Sequence, residues 1–148
     1  MYIVFRGIRH HLHGIDVEEE YWCFDEEGKS RRVDIVMMNR SKKSAIIIDP
    51  TVRCEKGLDQ PAKVDAEKKS IYKPCIPDLR KRLQQKYPYV KDCSFEVVGL
   101  LIGAKGTIPT FVEKFRQKIG LPKSVIENVV LEALKGSCLI YFNHMKSD

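Results

Sequence analysis

Nowhere does the chain carry an apolar run near the length that crosses a bilayer, so no membrane partner is expected. It opens on Met1-Tyr2-Ile3-Val4-Phe5-Arg6-Gly7, too short and too soon charged for a secretory signal, and a protein that is not secreted is expected. The five cysteines, Cys23, Cys54, Cys75, Cys93 and Cys138, stand singly, without a CxxC or CxH spacing. That leaves a structural zinc module without support and suggests free thiols in a reducing compartment, nuclear or cytoplasmic. Repeats, low-complexity tracts and linkers are missing too, so the 148 residues read as one domain with room for a core. Gly28-Lys29-Ser30 resembles the end of a phosphate-binding loop. Cys23 stands where that loop needs its first glycine, and a strand follows where it needs a helix, so no nucleotide cofactor is expected.

What the chain does have is charge: 31% charged residues beside 43% apolar ones, a net +6 and a pI near 9.1. The excess favours an anionic partner. It is uneven, with Glu18-Glu19-Glu20 and Asp25-Glu26-Glu27 acidic and Arg31-Arg32, Arg40-Lys42-Lys43 and Arg80-Lys81-Arg82 basic. A basic run also serves as an ordinary solvated face, so charge alone decides nothing.

The centre of the chain is Val33 to Asp49. Ile35-Val36-Met37-Met38 and Ala45-Ile46-Ile47-Ile48 are apolar at every position, which predicts two strands buried on both faces. The polar stretch Asn39 to Ser44 between them is turn-prone. A hairpin centred between Ser41 and Lys42 puts Asp34 opposite Asp49, their Cβ atoms about 4.5–5.5 Å apart. Facing carboxylates repel and call for a cation, a shared proton or a lysine. The competing reading is that each acid simply ends a strand in water.

Ile15 to Phe24 reads as a strand, with Trp22 and Phe24 on one face and Tyr21 and Cys23 on the other. A turn at Asp25 to Gly28 then makes an antiparallel three-strand meander. Met1 to His13 reads as a short, truncated helix, and its His10, His11 and His13 are either a metal-binding group or a surface cluster. Pro50 marks a bulge or the end of pairing. Thr51, Arg53 and Glu55 follow on the face of Asp49, with Glu55 roughly 20 Å from that acid unless the chain bends at Pro50. Pro61 opens a helix to about Tyr72, on whose inward stripe Lys68 lies between Val64 and Tyr72, while Lys69 points elsewhere. A second helix from Ile76 turns Leu79, Leu83 and Tyr87 inward and Arg80, Lys81 and Arg82 outward. Phe95 to Ile102 is a further central strand. The loop Gly103-Ala104-Lys105-Gly106-Thr107 is either a phosphate cradle or a tight turn, with Thr107 capping a helix whose stripe is Phe111, Phe115 and Ile119. Gly120 ends that helix. Pro122 starts the last one, with Val125, Val129 and Leu134 inward and a break expected near Gly136.

Three segments together carry a family resemblance: Arg32-Val33-Asp34-Ile35-Val36, then Ile48-Asp49-Pro50-Thr51-Val52-Arg53, then Glu67-Lys68-Lys69-Ser70-Ile71-Tyr72. The pattern resembles the PD-(D/E)xK nuclease superfamily. More narrowly, it is similar to the restriction-like endonuclease domain of site-specific non-LTR retrotransposons, over about Gly28 to Pro109. The resemblance implies an α/β fold, a central mixed sheet of about four strands flanked by helices. It implies a magnesium- or manganese-dependent DNA endonuclease, with Asp34 and Asp49 as metal ligands and Lys68 assisting. Glu55, Tyr72, Thr51 and Glu67 become accessory candidates, and Arg31, Arg32, Lys69, Lys105, Arg80 and Arg82 candidate DNA contacts. Val33 stands where the motif has proline, Thr51 where the superfamily has its usual lysine, and His11 beside Arg9-His10 where an acidic or amide residue is expected. With Thr51 in that place, the lysine must come from the helix, as in the retrotransposon branch. The alternative is a catalytically inactive, element-derived nucleic-acid-binding domain.

Overall fold

Four ten-residue strands make one mixed sheet in the order β1-β2-β3-β4: β1 Ile15–Phe24, β2 Ser30–Asn39, β3 Ser44–Arg53 and β4 Ser94–Gly103. The computed structural model describes residue 7 and residues 13–147. The expected N-terminal helix, with His10 and His11, lies outside the described residues.

The meander forms as the apolar pattern predicts. β1 and β2 are antiparallel, and β2 and β3 pair from Ile35 opposite Ile48 to Asn39 opposite Ser44, a register centred between Ser41 and Lys42. The first turn is held by the Asp25 carboxylate, which accepts the Glu27 and Lys29 N–H groups at 3.0 and 2.9 Å, while Gly28 takes φ 79°. After β3 the chain crosses over through α1 (Gln60–Tyr72), a 3₁₀ turn (Lys73–Cys75), α2 (Ile76–Lys86) and a second 3₁₀ turn (Pro88–Asp92), and returns as β4 parallel to β3. Then come α3 (Thr110–Ile119) and α4 (Lys123–Ser147).

Helices cover both faces of the sheet. Val36, Met38, Ala45, Ile47 and Val97 meet Tyr72, Leu79, Leu83 and Val90 on one side. Ile35, Met37, Ile46, Ile48, Val98, Leu100 and Ile102 meet Val112, Phe115, Leu121, Ile126 and Val129 on the other. This is why β2 and β3 have no polar face. Cys23, Cys54, Cys75 and Cys93 are free thiols, and burial pushes Cys23 up to about 12.

Several expectations are corrected. β4 is an edge strand, not a central one. Its unbroken apolar run reports helices over both faces, and its rim is covered by α1, where the Asp65 carboxylate accepts the Gly99 N–H at 2.9 Å. That contact also shields an edge donor that would otherwise invite another strand. α3 starts at Thr110 with Pro109 as its N-cap, and its stripe centres on Val112, with Phe111 and Ile119 only partly buried. α4 continues through Gly136, and Leu134 is exposed. Arg80 turns inward and donates to the carbonyls of Val90, Lys91 and Cys93, so its charge serves the second 3₁₀ turn.

Partway along their length β1 and β2 exchange faces. Their ladder skips Glu20 and Asp34, and Glu20 adopts φ 50°, a left-handed conformation that costs a non-glycine residue about 1–3 kcal/mol. Val17 and Ile35 pack towards α3 and α4, whereas Cys23 and Val33 pack towards α1 and α2.

Candidate active site

The site lies where β2 and β3 part. Their ladder ends at Ile35 opposite Ile48, so Asp34 and Asp49 are the next residues in register. Pro50 follows, with no N–H to offer β2, while β3 continues beside β4 as far as Arg53 opposite Gly103.

Asp49 is 4% exposed, and two side chains meet its carboxylate, with Tyr72 close by. The Lys68 Nζ lies 3.1 Å from its Oδ2. The Thr51 hydroxyl donates to its Oδ1 at 3.2 Å. The Tyr72 hydroxyl donates to the Arg32 carbonyl at 3.3 Å, and burial first, then the charge of Asp49, hold that phenol far above its usual range. Tyr72 is therefore a fixed donor. Asp34 is half-buried. Burial, and next the Asp49 carboxylate, push its carboxyl above the ordinary aspartate range, with Arg32 and Lys68 opposing. The two acids and the lysine thus share one electrostatic environment.

Lys68 reaches Asp49 because α1 sits unusually close to the sheet. Gly99 is the β4 residue opposite Asp49. A Cβ at Gly99 would lie 2.7 and 2.9 Å from the Lys68 Cγ and Cβ and 3.1 Å from the Asp65 Cα. Only glycine fits there. Asp65, 7% exposed, ties the helix down through the Gly99 N–H and is itself neutralised by Lys69 at 2.7 Å. Sequence reasoning missed Asp65, although an acid four residues before Lys69 on a helix was a signal for an ion pair. Gly99→Ala is expected to destabilise the fold by about 1–3 kcal/mol through overpacking, read as a lower denaturant midpoint. It should also push Lys68 off Asp49.

The other candidates are spread more widely. Glu67 forms a two-pronged bond with Arg53, at 2.9 and 2.8 Å. Glu55 does not join the acids, because β3 runs on through Pro50 without turning back. Its carboxylate instead bonds its own backbone N–H and then Thr107, which hold it below its usual range, and it also accepts the Lys105 N–H at 3.4 Å. Arg31 faces Asp25 and Arg32 faces Glu20, each at 3.6 Å. Arg82 bonds Asp78 at 2.7 Å and lies 5.3 Å from the centre of the Phe24 ring.

Among the described residues, no group of three or more His, Cys, Asp or Glu side chains is placed to hold a metal ion. Asp34, Asp49 and the Thr51 hydroxyl offer oxygen only, which suits a hard cation and not zinc. Magnesium is commonly held by one or two carboxylates together with substrate phosphates, so a two-acid set fits it. The crowding that lifts Asp34 is what a cation would relieve. A comparison with models of known protein families finds no match, and a comparison with curated proteins finds none either.

Proposed function

We propose that the protein is a metal-dependent DNA endonuclease of the PD-(D/E)xK type, related to the nicking domain of site-specific non-LTR retrotransposons. One observation carries the reading: a lysine delivered by the helix after the hairpin stands 3.1 Å from the second of two facing aspartates. That is the placement the resemblance requires once Thr51 replaces the usual lysine.

In this reading Asp34 and Asp49 hold magnesium or manganese. Bound there, the ion supplies Lewis acidity and a more acidic water. The protein's own part is positioning. Thr51 orients Asp49, Lys68 offers positive charge to the phosphate, and Tyr72 stays protonated as a donor. Basic residues such as Arg31, Arg32 and Lys105 are the candidate contacts for a DNA backbone.

The test is nicking of supercoiled plasmid in magnesium, with EDTA and Asp49→Ala as controls. Magnesium-dependent nicking lost in both controls supports the proposal. That no third acidic ligand joins Asp34 and Asp49 among the described residues favours a second reading, an inactive nucleic-acid-binding domain. It would show as salt-sensitive DNA binding with no cut strands, since phosphate contacts release counterions.

A further inference from the structure

Asp49, Thr51 and Arg53 are alternate residues of β3 and project to the same side, towards α1. The first meets Lys68, the last meets Glu67, so two consecutive residues of α1 pair with two points on one strand. The second pair differs from the first in exposure. Arg53 and Glu67 side chains are 39% and 44% exposed, against 15% and 6% for Lys68 and Asp49. Arg53 also borders an open cavity of about 500 Å³ that includes Lys56, Gln60 and the Lys63–Asp59 ion pair. The Glu67 bond raises Arg53 above its usual range.

We propose that Arg53 is a phosphate-binding residue for DNA, and that Glu67 holds its guanidinium in the free protein until a backbone phosphate takes its place. This rests on the DNA-directed reading above. The chemistry is matched: a planar guanidinium takes two oxygens of a phosphate as readily as two of a carboxylate. An exposed ion pair is weak, so exchanging one anion for another costs little. The spacing is also suitable. Four residues of strand separate Arg53 from Asp49 by about 13 Å, several phosphates along a backbone that rises about 3.4 Å per nucleotide. Arg53 would grip the strand away from the cut and fix its direction across the site.

The experiment measures the affinity for a short labelled duplex, without divalent ions so that no strand is cut, over a range of salt. Arg53→Gln is expected to weaken binding roughly tenfold at 0.1 M salt and to lower the salt slope by about one. Glu67→Gln is expected to do the opposite and tighten binding, because it frees the guanidinium. Glu96→Gln, whose partner Lys118 lies on α3, makes the same charge change elsewhere and sets the general electrostatic baseline. Opposite signs at Arg53 and Glu67, beyond that baseline, support the assignment. An unchanged slope in Arg53→Gln, or Glu67→Gln no tighter than Glu96→Gln, overturns it while leaving plasmid nicking by the unaltered protein to stand. If the unaltered protein binds no duplex, both this assignment and the DNA reading fall.

Discussion

Lys68→Met is expected to reduce magnesium-dependent nicking by about 10²–10³-fold, the usual loss when one pre-placed charge-stabilising group is removed. It should also lower the unfolding free energy by about 3–5 kcal/mol, because it strands a buried carboxylate. Asp49 is almost wholly enclosed and Lys68 nearly so, which is why the penalty is that of a buried pair. The double variant Asp49→Leu with Lys68→Met separates the two effects. Removing both charges should cost clearly less than the sum of the single changes, since neither is left alone. Urea denaturation of the four proteins gives the coupling directly. Strictly additive losses would mean that the pair does not form in solution, and the proposed chemistry would lose its lysine.

Asp34→Asn should change stability and activity in opposite directions. The folded protein raises the Asp34 carboxyl above its ordinary value of 3.8, through burial and then repulsion by Asp49. A carboxyl raised in this way adds stability while protonated, below the unfolded value, and loses that contribution as pH rises through the folded one. Above that folded value it is ionised, and its charge is then a net cost to the fold. The amide should therefore raise the melting temperature near pH 7, bring little change near pH 3, and abolish nicking. Magnesium should stabilise the unaltered protein, by about 2.7 kcal/mol at a hundred times its dissociation constant, and stabilise the amide variant far less. Thermal melts across pH, with and without magnesium, read all of this. A variant that melts lower at neutral pH would make Asp34 a structural residue, and the metal proposal would fail with it.

Much of this arrangement is legible in the chain. The pairing of Asp34 with Asp49 follows from counting outward through two apolar runs of four about a polar six, and β2 and β3 pair in that register. Lys68 is readable as inward because Val64 and Tyr72, one turn to either side, are both buried. What is not legible depends on partners remote in sequence. Gly99 looks like any strand glycine until α1 is seen lying on it. Asp65 looks like a surface acid until the rim of β4 is found beneath it. β4 itself reads as central because an apolar run on both faces reports what covers the faces of a strand and not how many strands flank it. The Arg53 bond to Glu67 joins residues fourteen apart on different elements, and neither carries a mark of the other.

The ladders of the sheet are unequal. β1 and β2 share nine residue pairs and β3 and β4 share ten, but β2 and β3 share five. The protein is thus two ribbons stitched along a short seam, and the site straddles it: Asp34 rides on one ribbon, while Asp49 and Lys68 belong to the other. Fraying of that seam at its Ile35–Ile48 end would separate one aspartate from its counterparts while the two cores stay packed. Amide protection along Ile35 to Asn39 and occupancy by a cation should therefore rise and fall together.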